Sequence, residues 1–207
     1  MRVGAVELPK VKDTLSERIL TEAEVHRLIN APKSARDRTL ISVLYAGALR
    51  REEAVRLKWR NLKGRDELGA GVGQATLFGE GSKTGVALLP ASIYSQVLSL
   101  RKVAERMRDG SRNERQARED EPVFRSRKTK TGRGAHLEVS QVNRIVTKAA
   151  KEAGIGRAVS PHWLRHAHAR KTDLALIRDT LRHSSIATTG RYLHARPNDS
   201  SALHLGL

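Results

Sequence analysis

The chain has 207 residues, of which 39% are hydrophobic, enough for one large or two small domains with a packed core. Lys and Arg number 39 against 22 Asp and Glu, and the net charge of +17 favours nucleic acid or an anionic membrane as partner. The sequence has no apolar run of ~20 residues, no typical leader and no cysteine, which argues against a membrane span, secretion and thiol chemistry. We therefore expect a cytoplasmic, nucleoid-associated protein.

The N-terminal part of the chain begins with residues 1–19, which have mixed charge and little periodicity and are predicted to be an arm or linker remnant. Thr21 and Glu24 are spaced as a capping box, which predicts a helix over residues 21–30. Apolar residues at helical spacing then predict a helix over 35–46 and a short one around 54–57.

The middle of the chain changes pattern after residue 70, where short apolar and β-branched runs replace helical spacing. Two strands, 74–78 and 86–89, are predicted on either side of a glycine-rich turn, and a helix over 91–103 follows. The mixed charges between Arg101 and Glu121 predict a solvated helix end and loop without a chemical role.

The C-terminal part is predicted to resume helical structure, with Ser140 capping a helix that continues to about Ala153. Pro161 suits the first turn of a further helix. Residues 20–207 are thus expected to form a single mainly α-helical domain with a small antiparallel β-sheet.

The segment after Pro161 carries the first candidate site. His162 and Arg165 are three residues apart, so they lie on one face of the predicted helix and can hold one phosphate between them. A structural His beside a surface Arg explains the same pattern equally well. A metal site using His162 and His166 is weakly indicated, because no acidic ligand is nearby.

Two further positions are less distinctive when taken alone. Arg50 follows a predicted helix break, and Glu53 one turn later can hold its guanidinium group, although a surface salt bridge is the commoner meaning of such a pair. Lys83 lies on the turn between the predicted strands, where a solvated lysine is ordinary. Tyr192, one of three tyrosines, is a candidate nucleophile because its chain is built to bind polyanions.

The order of these pieces resembles the tyrosine recombinases, also called the phage integrase family. The resemblance covers roughly residues 20–195 and is most specific in Pro161 to His166 and in Leu181 to Tyr192. The Arg, Glu and Leu-x-Trp pattern of Tyr45 to Trp59 resembles the first family box and selects Arg50 over Arg51. Gly79 to Lys83 resembles the family hairpin.

The resemblance implies a set of catalytic roles. Arg50 and Arg165 would neutralise the phosphate oxygens, His162 would accept the proton of Tyr192, and His183 would donate to the phosphate. Lys83 would protonate the departing 5′ oxygen, and Glu53 would organise the site. Because Tyr192 stores the bond energy in a 3′-phosphotyrosyl link, the reaction needs no ATP, metal or other cofactor.

The resemblance also implies site-specific recombination of double-stranded DNA by a homo-oligomer, a tetramer in the synapse. The phosphate partners expected from clusters of basic residues are Lys58, Arg60, Arg125, Arg127, Lys128, Lys130 and Arg133. The N-terminal DNA-binding domain common in the family is expected to be absent, because only 19 residues precede Leu20.

Three departures from the family pattern leave other functions open. Ala48 and Arg182 stand where glycine is usual, and the segment from His168 to Leu181 is about one helical turn short. A catalytically impaired recombinase that still binds DNA is therefore one alternative. A type IB topoisomerase, against which the full set of boxes argues, and a nonspecific basic nucleic-acid binder are the others.

Overall fold

The computed structural model of the protein describes residues 19–78, 84–106, 119–126 and 136–170. Its described part is mainly α-helical with one small antiparallel sheet, which confirms the predicted fold class. The helices are α1 (Glu22–Asn30), α2 (Ala35–Ala46), α3 (Arg51–Arg56), α4 (Ala91–Arg106), α5 (Val139–Glu152) and α6 (Pro161–Arg170). The strands are β1 (Leu62–Gly64), β2 (Gly73–Phe78) and β3 (Thr84–Leu89).

Helix α1 begins where the capping box predicts. The Glu24 amide donates to Thr21 Oγ1 at 3.2 Å, and the Thr21 amide donates to Glu24 Oε2 at 2.8 Å. Glu24 also accepts two hydrogen bonds of 2.6 Å from Arg157, which ties α1 to the segment after α5. Ile19 is buried against the core. Residues 1–18 lie outside the described part.

The sheet has the order β1-β2-β3, with both pairs antiparallel. Strands β2 and β3 were predicted, and Ala75 pairs with Ala87 at the centre of their register. Strand β1 was missed because its three residues are too few to show alternation. The predicted glycine-rich turn, with Lys83, lies outside the described residues.

Helix α2 lies at the centre of the core and packs against α1, α4 and α6. It is buried on nearly every side, including the polar Thr39 and Ser42. No helix among the described segments combines the length and apolar character required to cross a bilayer.

The two C-terminal helices of the described part position the candidate site. The predicted cap of α5 at Ser140 is wrong, because Glu138 is the N-cap and its amide donates to Gln141 Oε1 at 2.9 Å, which leaves Ser140 inside the first turn. Gly154 ends this helix in a left-handed conformation with φ 67°. Helix α6 begins at Pro161, as predicted.

Candidate active site

In the loop between α2 and α3, Gly47 and Ala48 meet two different structural requirements. Gly47 has φ −89°, a value open to any residue, so glycine is required here because there is no room for a side chain. A Cβ there would lie 2.4 Å from Leu49 Cδ1 and 3.1 Å from the Val43 carbonyl oxygen. The left-handed position is Ala48, with φ 46°. A non-glycine residue in this region is strained by roughly 1–2 kcal/mol. Alanine, at a position where glycine is usual in the family pattern, therefore adopts the backbone conformation that glycine favours.

Arg50 leaves this loop at the N-cap of α3 and is fixed by Glu53. The Arg50 amide donates to Glu53 Oε2 at 2.8 Å, and Arg50 Nη1 lies 3.6 Å from Glu53 Oε1. The Glu53 side chain is only 4% exposed, whereas that of Arg50 is 49% exposed. One buried carboxylate thus holds both the backbone and the guanidinium group of Arg50, while the guanidinium remains accessible from solvent.

Arg165 on α6 joins the site from the other end of the described sequence. Its side chain is buried, and Nη1 donates a hydrogen bond to the carbonyl oxygen of Ala48. A buried guanidinium needs such partners because desolvation without compensation is costly. The hydrogen bond fixes α6 against the loop that presents Arg50.

His162 lies one turn before Arg165 and is exposed. Partial desolvation lowers the pKa of His162 below its ordinary value, and the positive charges of Arg165, Arg50 and Arg51 lower this pKa further. The imidazole is therefore neutral at neutral pH and can accept a proton. The hydrogen bond from Arg165 to the carbonyl of Ala48 brings this part of α6 close to Arg50, which is more than 100 positions away in the chain.

His166, Arg51 and Asn143 lie near this cluster, and none of them was assigned a catalytic role from sequence. His166 Nε2 lies 2.7 Å from His162 Nε2. Arg51 pairs with Glu52 at 2.7 Å and donates to Asn143 Oδ1 on α5 at 3.3 Å. The only sequence signal for the contact between His162 and His166 was their spacing of four residues. No sequence signal indicated the contact between Arg51 and Asn143.

The weak metal hypothesis receives no support from the described segments, which contain no group of three His, Cys, Asp or Glu able to hold a metal ion. His168 instead faces Tyr45, with ring centroids 6.0 Å apart in an edge-on arrangement. Burial lowers the pKa of His168, and Arg165 adds to this effect.

The basic residues expected to contact phosphate are paired with acids where the structure describes them. Asp120 lies 3.7 Å from Lys58 Nζ and 2.5 Å from Arg60 Nη1, and Glu121 lies 2.7 Å from Arg125 Nη2. The stretch ending at Glu121, which was expected to have no chemical role, thus supplies carboxylates to the basic surface.

Several predicted site residues lie outside the described part of the chain, and their placement stays a prediction. They are Lys83, Arg127, Lys128, Lys130, Arg133, His183 and Tyr192. Of the six candidate catalytic residues, Arg50, His162 and Arg165 are described, and the structure brings all three together.

The sequence is similar to known proteins along most of its length. A model of the phage integrase family matches residues 18–199. The chain is 32% identical to tyrosine recombinase XerC of Xanthomonas axonopodis pv. citri over 200 residues, covering 92% of this chain and 58% of the relative. It is 30% identical to tyrosine recombinase XerD of Pseudomonas putida, covering 96% of this chain and 64% of the relative. The chain thus spans about three fifths of these curated relatives.

Solved structures give the same match at the level of the fold. A crystal structure of XerA recombinase superposes with a TM-score of 0.67 and 25% identity, covering 90% of this chain and 62% of that one. A lambda integrase dimer bound to a COC′ core site superposes with a TM-score of 0.61 and 16% identity, covering 88% and 61% of the two chains. The latter identity supports likeness of fold alone.

Proposed function

Because the chain belongs to the phage integrase family, we propose that it is the catalytic domain of a site-specific recombinase that cleaves and rejoins duplex DNA through Tyr192. The observation that supports the proposal is the hydrogen bond from Arg165 to the Ala48 carbonyl, which holds the helix bearing His162 and Arg165 against the turn that presents Arg50. Two positive charges beside a proton acceptor suit attack on a phosphodiester, whose own negative charge otherwise repels a nucleophile.

The described residues have distinct parts in the proposed reaction. Arg50 and Arg165 bind the two non-bridging oxygens of the scissile phosphate, where negative charge builds as the attacking oxygen approaches. His162 accepts the proton that the phenol of Tyr192 releases, because a phenol with a pKa near 10 is otherwise protonated. Glu53 keeps Arg50 in position through the contacts to its amide and guanidinium group.

The remaining roles fall on residues outside the described segments. His183 donates to the phosphate, and Lys83 supplies a proton to the departing 5′ oxygen. The product is a 3′-phosphotyrosyl link and a free 5′ hydroxyl group. Attack by a second 5′ hydroxyl on this link restores the phosphodiester, so the strands rejoin without an external energy source.

The proposed partners are double-stranded DNA and further copies of this chain. A XerH recombinase has been solved with its difH substrate after cleavage, and a lambda integrase tetramer with a Holliday junction. We extend both features to this protein, with a tetramer as the synaptic assembly. Lys58, Arg60 and Arg125 would bind DNA phosphates after leaving their carboxylate partners.

The test traps the covalent intermediate. The protein is incubated with nicked duplexes whose arms are randomised, and denatured covalent complexes are recovered and sequenced. A nick next to the cleavage site releases a short fragment, so rejoining fails and the adduct accumulates. We expect a protease-sensitive adduct on a restricted set of sequences with wild type and none with Tyr192→Phe.

Tyr94→Phe is the matched control, since it removes a phenolic hydroxyl on α4 and should leave the adduct unchanged. DNA binding without any adduct in wild type would favour the catalytically impaired binder. An adduct that persists in Tyr192→Phe would contradict the proposed nucleophile. Relaxation of plasmid by monomers without strand exchange would favour a topoisomerase.

A further inference from the structure

Helix α2 ends in a hydrogen-bonding pattern that places Ala48 in a left-handed position. The Leu49 amide donates to the Leu44 carbonyl at 3.2 Å, and the Ala48 amide donates to the Tyr45 carbonyl at 3.2 Å. These two bonds define a Schellman motif, in which glycine is the usual left-handed residue. Ala48 occupies that position at φ 46°, and such strain persists only where surrounding contacts enforce the conformation. The contacts that enforce it therefore also determine how Arg50, two residues later, is presented.

Two side chains of α6 contact the backbone on either side of this strained residue. Arg165 donates to the carbonyl oxygen of Ala48 itself. His168, three residues later and so on the same face of the helix, hydrogen-bonds the backbone of Tyr45, whose carbonyl accepts the Ala48 amide. The His168 ring also packs edge-on against the Tyr45 ring, with centroids 6.0 Å apart. One helix thus fixes the turn at two points.

The imidazole ring is the donor in the contact between His168 and Tyr45. Burial lowers the pKa of His168 below its ordinary value, and the hydrogen bond to the Tyr45 backbone opposes this shift. A bond that favours the protonated ring is one to an acceptor, so the backbone group is the carbonyl oxygen. Because a carbonyl cannot donate, the nitrogen facing it carries hydrogen even in the neutral ring. The oxygen has two lone pairs, enough for the Ala48 amide and the ring N–H together.

We infer that His168 is a positioning residue whose ring N–H holds the Tyr45 carbonyl, so that α6 enforces the left-handed turn at Ala48 and thereby the orientation of Arg50. The inference rests on the proposed function, in which Arg50 binds the scissile phosphate. Arg165 restrains the carbonyl side of Ala48, and His168 restrains the carbonyl that its amide meets. Without the second restraint, Ala48 leaves the strained conformation and redirects the backbone from which Arg50 extends.

Carbon NMR on the free protein tests the turn without requiring any activity. Protein labelled with ¹³C-alanine is compared as wild type, His168→Phe and His168→Gln, and the Ala48 signals are assigned from an Ala48→Gly sample. His168→Phe keeps an aromatic ring against Tyr45 but lacks the donor, so the Cα and Cβ shifts of Ala48 should move away from left-handed values. The amide N–H of His168→Gln should keep them. His136→Phe is the control, since it removes a ring nitrogen 3.0 Å from the Leu137 carbonyl and should leave Ala48 unchanged.

Single-turnover adduct formation on a nicked duplex tests whether the turn serves Arg50. His168→Phe should slow the reaction roughly 10–10²-fold, the scale expected when a substrate-binding group is misplaced. His168→Gln should recover most of the rate. In an Arg50→Lys background, His168→Phe should add little, because that variant already lacks the guanidinium group whose orientation the turn sets.

The outcomes separate this inference from the proposed function. Unchanged Ala48 shifts in His168→Phe overturn the inference whether or not the protein cleaves DNA. An equal loss of rate with and without the Arg50 guanidinium group, or no recovery in His168→Gln, indicates a general structural effect and also overturns it.

Two further results keep the test decisive. If Arg50→Lys forms no measurable adduct, the recovery in His168→Gln decides, and if His168→Phe does not fold, His168→Gln must retain both the wild-type Ala48 shifts and the wild-type rate. An absent adduct in wild type contradicts the proposed function and leaves the Ala48 shifts to decide whether His168 holds the turn.

Discussion

Arg165 donates a hydrogen bond to the backbone carbonyl of Ala48, a residue held in the left-handed conformation at φ 46°. The two residues are 117 positions apart in the chain. Taken alone, each residue is ordinary, since Arg165 is a buried arginine on a helix and Ala48 is a buried alanine in a loop. Together they show that the guanidinium group of Arg165 is oriented by the strained turn from which Arg50 emerges, so one turn positions both of the arginines to which we assign phosphate binding.

Relief of this strain is the basis of the first prediction. Ala48→Gly should stabilise the protein by about 0.5–1 kcal/mol, because removing roughly 1–2 kcal/mol of left-handed strain outweighs the entropic penalty of glycine. The hydrogen bond to Arg165 is made by the backbone and is retained. Urea unfolding should show a higher midpoint with an unchanged slope.

The matched control is Ala46→Gly, which makes the same substitution in the last turn of α2. It should destabilise the protein by about 0.5–1 kcal/mol, because glycine is unfavourable in a helix. If both variants lose stability to the same extent, the backbone strain assigned to Ala48 is contradicted.

The second prediction concerns the carboxylate that fixes Arg50. Glu53→Gln removes a buried negative charge that contacts the Arg50 amide and guanidinium group, and should destabilise the protein by about 1–3 kcal/mol. Adduct formation on nicked DNA should slow even where the variant is fully folded, because Arg50 loses its fixed orientation. The control, Glu52→Gln, alters a half-exposed neighbour and should change stability by less than about 0.5 kcal/mol. Equal effects of the two substitutions would refute the special position of Glu53.

The third prediction is a pH dependence of stability from the pair between α1 and Arg157. The hydrogen bonds from Arg157 lower the pKa of Glu24 from 4.5 to about 2. Since the folded pKa lies below the unfolded one, the stabilisation is complete above pH 4.5 and is lost as the pH falls towards about 2. Its size is on the order of 2–3 kcal/mol, given about 1.4 kcal/mol per pKa unit and the partial exposure of Arg157.

Urea unfolding of wild type and Glu24→Gln across this pH range measures the effect. The difference in unfolding free energy between the two should shrink as the pH falls, because acid removes the same charge that the substitution removes. Glu22→Gln serves as control, since Glu22 faces His26 at 3.8 Å with both side chains exposed. A difference for Glu24→Gln that is independent of pH would contradict the role of the charge.

The fourth prediction concerns the basic surface around Asp120. Asp120→Asn should strengthen DNA binding several-fold, because it frees Lys58 and Arg60 from a shared carboxylate. Lys58→Ala and Arg60→Ala should each reduce the slope of log Kd against log salt concentration by about 0.9 if each side chain binds one phosphate. Fluorescence anisotropy over a salt series gives both quantities.

Glu67→Gln is the control for net charge, since Glu67 pairs with Arg65 on a different part of the surface. If Glu67→Gln increased the affinity for DNA as much as Asp120→Asn does, the overall charge of the protein, and not the cluster around Asp120, would determine DNA binding. If the slope of log Kd against log salt concentration were unchanged in both alanine variants, Lys58 and Arg60 would not bind DNA phosphates.

Local signals were sufficient for much of the fold. The Thr21 capping box and Pro161 each specify a helix start through contacts within a few residues, and the structure follows both. Strand β1 was missed because it is defined by its pairing with β2, which no three-residue pattern reveals. Ser140 was predicted to be the N-cap because serine is a favoured N-cap residue. In the structure the helix begins earlier, with Glu138 as the N-cap, and the Glu138 amide donates to the side chain of Gln141.

Long-range contacts explain what the sequence could not predict at the site. The left-handed conformation of Ala48 runs against the preference of alanine, and its carbonyl meets a partner on a helix far along the chain. Asp120 was part of a stretch that resembled solvated loop, yet it pairs with residues near position 60. Arg165 was a candidate from its spacing to His162, and Arg50 from its position after a helix break. Only the family resemblance predicted that these two arginines lie at one site, because spacing does not reveal such a long-range contact.

The separation of 117 positions between Ala48 and Arg165 also affects when a newly synthesised chain can act. Translation is vectorial, so the ribosome releases Arg50 well before Pro161, and until then the nascent protein has only one of the two guanidinium groups to which we assign phosphate binding. Partial products consequently lack both this second guanidinium group and Tyr192, the proposed nucleophile, and would be unable to cleave DNA. Ribosome-bound chains truncated before Pro161 should yield no covalent adduct, whereas released full-length protein from the same reaction should.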